Sequence, residues 1–415
     1  MGGTGSRLDR LACRGCGRDS EPDRLIGTCP ECGQALFAEY RTDRFDARSW
    51  WASLGNRPWT LWRYREMLPV REEAAVTTLG EGCTAILPLP AVPGAEGVAV
   101  LLKDDGTMPT GSFKARGMAV AVSRARELGA RALFAPTAGN AGIALSAYAA
   151  RAGLGARVYL PAVGTEAVQA ACRAYGATAV PVPGTIRDAG AAGRAAEAGS
   201  GAFEMSTLRE PYRLEGKKTM GYEILEQLGP AVPEAIVYPT GGGTGLIGMF
   251  KAFRELRDLG LTDARPRFYA VQPEGCAPVV RALDHDAPRI EPWTDPVTVA
   301  PGLLVPAPFA SERILEAVRE SRGGGVAVSD RAIVEAMAWL ATAAGISASP
   351  EGAAPLAALP ELVRSGRIRA GERVLLYNTG VGSGFDVGRL RAALDARALD
   401  APAHAGGRGR STIVE

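Results

Sequence analysis

One lysine stands where a cation is electrostatically unwelcome. In GTMPTGSFKARGM, residues 106–118, Lys114 follows a turn of Pro, Thr, Gly and Ser and heads an apolar helical pattern. A helix N-terminus carries partial positive charge, which favours a carboxylate there over an ammonium. A solvated surface lysine tolerates that position at small cost. A partly desolvated one is driven towards the neutral amine, because burial and the positive helix end both disfavour the charged form. The neutral amine is the form that attacks a carbonyl.

Three further strand-to-loop junctions carry polar groups suited to a ligand. After ALFAPT comes AGNAG, residues 138–142, where backbone N–H groups face an anion at a helix start and Asn140 adds an amide. Asn140 as a simple helix cap is the competing reading. After AIVYPT comes GGGTG, residues 241–245, whose glycines let backbone amides approach a phosphate closely while Thr244 adds a hydroxyl. No lysine follows as a Walker loop requires, but Gly243, Gly245 and Gly248 form G-x-G-x-x-G, which raises a dinucleotide reading. After RVLLYN, Thr379 in TGVGSGF offers a hydroxyl at a strand end, where it either meets a ring nitrogen or merely closes the strand.

A separate constellation lies near the N-terminus. Cys13, Cys16, Cys29 and Cys32 form C-x2-C-x12-C-x2-C, with Gly17 and Gly33 after each pair. Each pair converges two thiolates on one tetrahedral ion, and four thiolates leave no open position, so the metal would be structural zinc. A reduced, metal-free remnant is the alternative.

Positioning these groups falls to an alternation of short Val-, Ile- and Leu-rich runs with helical patterns, which predicts an α/β architecture with mainly parallel sheets covered on both faces. The pairs include VAVLLK before the Lys114 helix, ALFAPT before AGIALSAYAARAG, ARVYLP before residues 165–175, TAVPVP before residues 186–198, and AIVYPT before GLIGMFKAFREL. RFYAVQ, GVAVSD, a helix over about 331–344 and RVLLYN follow, after a Trp-rich connector near SWWASLGNRPWTLWRYREML. A length of 415 residues, 47% hydrophobic content and a net charge of +2 describe a soluble chain of two or three domains, less basic than a nucleic-acid binder. Neither a signal-peptide pattern nor an apolar run of about 18 residues occurs, so a cytoplasmic location, with no membrane partner, is expected.

Taken together, the lysine, amide, glycine loop and hydroxyl fit one ligand. Pyridoxal phosphate offers an aldehyde, a phenolic oxygen, a phosphate and a pyridine nitrogen to those groups in turn. From about Thr78 to Phe385 the chain resembles the threonine synthases, members of the fold type II pyridoxal-phosphate enzymes. LGEGCT, LLKDDGTMPTGSFKARGM, PTAGNAGIALSAYAARAG, EPYRLEGKKTMGYEILEQLG, PTGGGTGLIG, VQPEGC, SPEGAA and NTGVGSG carry it. PTGSFKARG and EGKKTMGYEI are specific, whereas the Gly-rich loops are shared with serine and threonine dehydratases and cysteine synthases.

The resemblance implies a fold of the tryptophan synthase β type, with two open, mainly parallel sheets flanked by helices. It divides the chain into a zinc-ribbon-like segment at 10–38, a large cofactor-binding domain at 39–117 and 206–398, a small α/β domain at 118–205 and a disordered tail at 399–415. It makes Lys114 the Schiff-base lysine, with Phe113 near the ring and Asn140 at the phenolic oxygen. Gly241, Gly242, Gly243, Thr244 and Gly245 would cradle the cofactor phosphate, and Thr379 would meet the pyridine nitrogen. Thr137, Ala138, Gly139 and Ala141, with Asn140, match the loop for the substrate carboxylate. Arg116, Arg209, Arg213, Lys217 and Lys218 are candidates for a substrate phosphate, and a homodimer is implied. The reaction implied is O-phosphohomoserine and water to threonine and phosphate, with the Lys114 amine moving protons at the α- and β-carbons.

Cys83, Ala85, Ala138, Met205 and Thr207 depart from the family pattern, which bears on substrate more than on cofactor. A β-replacement enzyme or dehydratase acting on serine, phosphoserine or threonine, including cysteate-type synthesis, therefore stays open. So does a nicotinamide-dependent dehydrogenase built on the G-x-G-x-x-G stretch. A nucleic-acid-binding protein led by the ribbon is disfavoured by the near-neutral charge.

Overall fold

The computed structural model of the chain describes residues 5–382 and 384–400. Its N-terminal strands β1 (Leu8–Cys13), β2 (Asp19–Ser20) and β3 (Leu36–Tyr40) form an antiparallel sheet in the order β2-β1-β3. Two like turns hang from it: Gly17 N donates to Cys13 O at 3.0 Å and Gly33 N to Cys29 O at 2.9 Å. Helix α1 (Ala47–Ser53) opens the Trp-rich stretch. That stretch packs as core: Trp50 Nε1 donates to Glu66 at 2.9 Å, and Arg57 grips the same carboxylate through two bonds of 2.7 Å.

The alternating elements then follow as β4 (Ile86–Pro88), β5 (Ala99–Asp104), α2 (Lys114–Glu127), β6 (Ala132–Pro136), α3 (Asn140–Ala152), β7 (Gly155–Pro161), α4 (Glu166–Ala174), β8 (Thr178–Val182), α5 (Ile186–Glu197) and β9 (Phe203–Glu204). After these come α6 (Tyr212–Leu228), β10 (Ala235–Pro239), α7 (Thr244–Asp258), β11 (Arg267–Pro273), α8 (Pro278–Asp284), α9 (Ser311–Glu320), β12 (Gly324–Val328), α10 (Asp330–Ala344), α11 (Pro350–Arg364), β13 (Arg373–Asn378) and α12 (Val387–Asp400).

Mainly parallel sheets result, as the alternation predicts, and they are two, as the resemblance implies. The larger runs β12-β11-β10-β13-β5-β4, parallel except for the antiparallel edge strand β4; the smaller, wholly parallel, runs β8-β7-β6-β9. Strand β10 is buried along its whole length, which its unbroken apolar run requires of a strand covered on both faces. Strands β10, β13 and β5 are adjacent, so the glycine loop, Thr379 and the turn before Lys114 leave one sheet edge together. Ligands of open parallel sheets gather at that carboxyl edge.

Helix α2 runs unbroken through the 117/118 division expected from the sequence. Of the expected tail, residues 399 and 400 close α12 and 401–415 lie outside the described residues. Among the described residues, no helix is long and apolar enough to cross a membrane.

Helices α2 and α6 meet backbone to backbone. A Cβ at Gly216 would enter the Arg116 carbonyl oxygen, and one at Gly117 would lie 2.8 Å from the Arg213 carbonyl oxygen. Both helices are buried on nearly every face, so neither can retreat towards solvent. Gly216→Ala is therefore expected to cost about 1–3 kcal/mol, read as a lower midpoint in chemical denaturation. An unchanged midpoint would remove this crossing as a constraint.

Candidate active site

The turn before α2 and the turn after β13 are sewn together. Phe113 N donates to Thr379 O at 3.0 Å, Val381 N to Gly111 O at 2.9 Å, and Ser349 N to Gly380 O at 2.8 Å. Gly380 thus lies between the Lys114 turn and the start of α11. Asn140 Nδ2 reaches the same place, 3.6 Å from where a Gly380 Cβ would stand. Thr137, Ala138 and Gly139 form the turn from β6 into α3, with Gly139 N donating to Thr137 Oγ1 at 3.2 Å, and Ala141 follows in the first turn of α3. The sequence-predicted Lys114, Phe113, Asn140 and Thr379 are brought together.

Lys114 is the first residue of α2, with Nζ 4.3 Å from the centre of the Phe113 ring. Burial, then the Arg213 charge, push its pKa down to about 8; Glu351 acts in the opposite sense. Beyond β10, Gly243 adopts φ +76°, a left-handed geometry that glycine enters freely, and caps α7, so the loop's amides open onto a helix N-terminus. Gly245 is pressed against the Tyr238 hydroxyl, and Tyr238 in turn meets Phe113 edge-on at 6.3 Å.

The basic candidates divide into two groups. Arg213 is buried, its Nη1 donating to Met205 O at 2.6 Å while Nε has no partner. Lys217 is fully buried with Nζ unpartnered, 5.1 Å from the Phe113 ring centre. Burial first, then Arg213 and Lys114, push the Lys217 pKa well below the usual lysine range. Ser112 Oγ and Thr110 Oγ1 are also buried without partners. Unpaired buried cations and hydroxyls are costly, and an anion among them would relieve that cost. Arg209 stacks on Phe309, its Cζ 4.3 Å from the ring centre.

Two candidates do not belong with these. Arg116 turns away from the site into a buried cluster, bonding Asp105 at 2.7 and 2.8 Å, Glu223 at 2.8 Å, Thr219 at 3.1 Å and Thr84 at 3.2 Å. All its N–H groups are engaged, so the expectation that it binds substrate is corrected: it is a structural cation. Lys103 adds a second positive charge, 2.8 Å from Glu223. Although burial works against it, Arg116 and Lys103 hold the Glu223 carboxyl down to about 2. Lys218 is likewise committed, to Glu215 at 2.6 Å and Glu255 at 3.1 Å, over the Tyr40 ring.

Sequence reasoning passed over Ser112, Glu210, Ser349 and Glu351. Glu210 accepts from Tyr212 N at 2.8 Å and Arg213 N at 2.9 Å, fixing the start of α6. Ser112 sits inside PTGSFKARG, and Ser349 and Glu351 flank or occupy SPEGAA, so the motifs contained the signal without the individual roles. Cys83 is buried, and its thiol is pushed up to about 12, first by burial and then by Glu223, which makes it inert packing. Gly248 faces the α6 backbone, 3.1 Å from Lys218 N to a Cβ there, so the G-x-G-x-x-G stretch ends in a helix-packing glycine.

The four ribbon thiols converge. Their sulfurs all lie within 4.8 Å of one another, with Cys13–Cys32 at 3.4 Å and Cys16–Cys29 at 3.7 Å. Tetrahedral zinc thiolate sites place sulfurs about 3.8 Å apart, so the residues fit such an ion.

The sequence model of the family described as "Pyridoxal-phosphate dependent enzyme" matches residues 77–380, and the chain belongs to that family. A threonine deaminase from T.th. has TM-score 0.62 at 28% identity, over 74% of this chain and 94% of that one. The processed threonine deaminase isoform 2 of Solanum lycopersicum has TM-score 0.62 at 18% identity, over 96% and 98%, a likeness of fold. Within the family the chain falls among the threonine synthases. That of Methanosarcina acetivorans is 36% identical over 375 residues, 89% of this chain and 91% of its own length. That of Methanocaldococcus jannaschii is 34% identical over 373 residues, again 89% and 91%. Membership in a family that uses pyridoxal phosphate replaces the nicotinamide reading.

Two outcomes test the site. Arg116→Leu strands buried carboxylates and is expected to cost about 3–5 kcal/mol in chemical denaturation; unaltered stability with a raised KM would return Arg116 to substrate binding. Because a lysine is nucleophilic only when neutral, labelling of Lys114 by an amine-selective reagent in cofactor-free protein should rise with pH to a midpoint near 8, not 10.5. Mass spectrometry of the Lys114 peptide across pH reads this.

Proposed function

We propose that the chain is a threonine synthase, converting O-phosphohomoserine and water to threonine and phosphate. Bound pyridoxal phosphate supplies an aldehyde for an amine and a ring that stabilises negative charge on the substrate carbons. The observation carrying the reading is a lysine poised near neutrality beside a second buried lysine, Lys217, over one aromatic ring, with the Arg213 charge acting on both.

Lys114 is assigned the covalent role and, once freed, the movement of protons at the α- and β-carbons through Nζ. A pKa near 8 suits both, since the amine then accepts and returns a proton near neutral pH. The amides of Gly241, Gly242, Gly243, Thr244 and Gly245 bind the cofactor phosphate at the positive end of α7. Phe113 packs beside the ring, Asn140 donates to its phenolic oxygen, and Thr379 meets its nitrogen. A hydroxyl there, unlike a carboxylate, does not hold that nitrogen protonated. Thr137, Ala138, Gly139 and Ala141 take the substrate carboxylate at the start of α3. Arg213 and Lys217 take the substrate phosphate, and its negative charge returns Lys217 towards the ammonium form. Arg209, stacked on Phe309, is a further candidate for that phosphate. The four cysteines hold structural zinc, and the working form is a cytoplasmic homodimer.

Purified protein given O-phosphohomoserine should release phosphate and threonine in equal amounts, and Lys114→Ala should lose turnover together with the visible absorption of the lysine-bound cofactor. Phosphate released with no threonine would reject this activity in favour of elimination or β-replacement, and threonine deamination would point to a dehydratase.

A further inference from the structure

The two cysteine pairs of the ribbon enclose a loop, residues 17–28, that does not merely decorate the surface. Pro22 O accepts from Arg124 Nη2 at 2.8 Å and from Tyr212 Oη at 3.2 Å. Asp23 takes Arg71 at 2.8 Å and Arg124 at 2.6 Å. At Gly27 the loop backbone lies directly on the backbone of the segment leading into α6: a Cβ there would stand 2.7 Å from Arg209 O.

That segment is itself under tension. Leu208 adopts φ +58°, a geometry uncommon for a residue with a branched side chain, which persists when its surroundings over-determine it. From inside, it is held by Arg213 donating to Met205 O at 2.6 Å and by Glu210 capping α6. From outside, the ribbon loop presses on it. Its inner side faces the glycine loop, where Thr207 Cγ2 is 3.0 Å from the place a Gly242 Cβ would occupy. A continuous line of contacts therefore runs from the cysteine knuckles through Gly27, Arg209 and Thr207 to Gly242, and the same segment leads into Arg213 in the first turn of α6. Strand β3 reaches α7 as well, through Ala38 O and Lys251 Nζ at 2.6 Å, but this contact is nearly two turns down the helix from the glycine loop.

We propose that the metal-bound ribbon is a positioning element for the substrate-phosphate site: by fixing both ends of the 17–28 loop it holds segment 205–213, and with it Arg213, over the glycine loop. This rests on the reading of Arg213 as a phosphate ligand. Gly27 is the positioning residue, acting through Arg209. The cofactor's phosphate loop meets this segment at Gly242, but its contacts at Lys114, Phe113, Asn140 and Thr379 come from other turns, so the effect falls on the affinity for free phosphate while those contacts, the covalent one included, retain the cofactor.

The holoenzyme would be titrated with inorganic phosphate by calorimetry, with cofactor content followed by visible absorbance and metal by elemental analysis. Gly27→Ala keeps all four thiols and the ion while driving a methyl group into Arg209 O. It should weaken phosphate binding about tenfold with full cofactor absorbance, as a displacement of an ångström remote from the chemistry can do. Its KM for O-phosphohomoserine should rise while kcat changes little. Chelated wild-type protein, and Cys16→Ser with Cys32→Ser, should show the same loss; if the double variant fails to fold, Gly27→Ala decides alone. Unchanged phosphate affinity in Gly27→Ala, or loss of cofactor in parallel with phosphate, overturns the proposal. Arg213→Met separates the two ideas: wild-type phosphate binding in that variant would sink the reading of the site, whereas its loss there with an unaffected Gly27→Ala would sink only the role of the ribbon.

Discussion

The contact of α2 with α6 at Gly117 and Gly216 governs the rest of the site. Without side chains at the crossing, Lys114 on one helix and Lys217 on the other both lie over Phe113, and the Arg213 charge acts on each. A larger residue at either glycine would push the helices apart and weaken the electrostatic coupling of these groups, which falls with distance and with any water admitted. The lowered pKa of Lys114 depends on this approach, because Arg213 is the first charge, after burial itself, to act on it.

Helix α6 serves three neighbours by the spacing of its charged residues. Arg213 and Lys217, four apart, face α2 and the candidate phosphate site. Glu215 and Lys218, three apart, face α7 and the ribbon, where they join Lys251, Glu255 and the Tyr40 ring. Thr219 and Glu223 face Arg116. The second and third sets are closed, each buried cation meeting a carboxylate. In the first set neither cation forms an ion pair among the described residues, although the buried Glu210 carboxylate acts on both from nearby.

Several of the buried polar groups without partners among the described residues lie near the Lys114 turn. Ser112 Oγ, Thr110 Oγ1, Lys217 Nζ and Arg213 Nε are buried with no partner among the described residues, while a neighbouring loop presents amides at a helix start. Such an arrangement is destabilising in isolation and is maintained by satisfied networks on either side, notably Arg116 with Asp105 and Glu223. The ribbon extends that support outwards to the segment preceding α6.

Much of this was legible in the residues themselves. Lys114 at a helix head, the triple glycine, Asn140, Thr379 and the paired cysteines stand out as candidates through local spacing, because backbone geometry at turns and helix starts is a local property. The alternation of apolar runs with helical patterns likewise announces parallel sheets, since strand burial on both faces writes itself into an unbroken hydrophobic run. What spacing does not convey is which of several neighbouring cations is free. Arg116 lies two positions from Lys114 in sequence yet points into a closed cluster, because successive helix positions face different directions and the partners, Asp105 and Glu223, come from distant elements. Lys217 and Lys218 are adjacent and part company for the same reason. The sequence by itself marked the candidate reacting groups and the fold that carries them; the tertiary structure decided which charges are paired, because pairing depends on residues brought together only by packing.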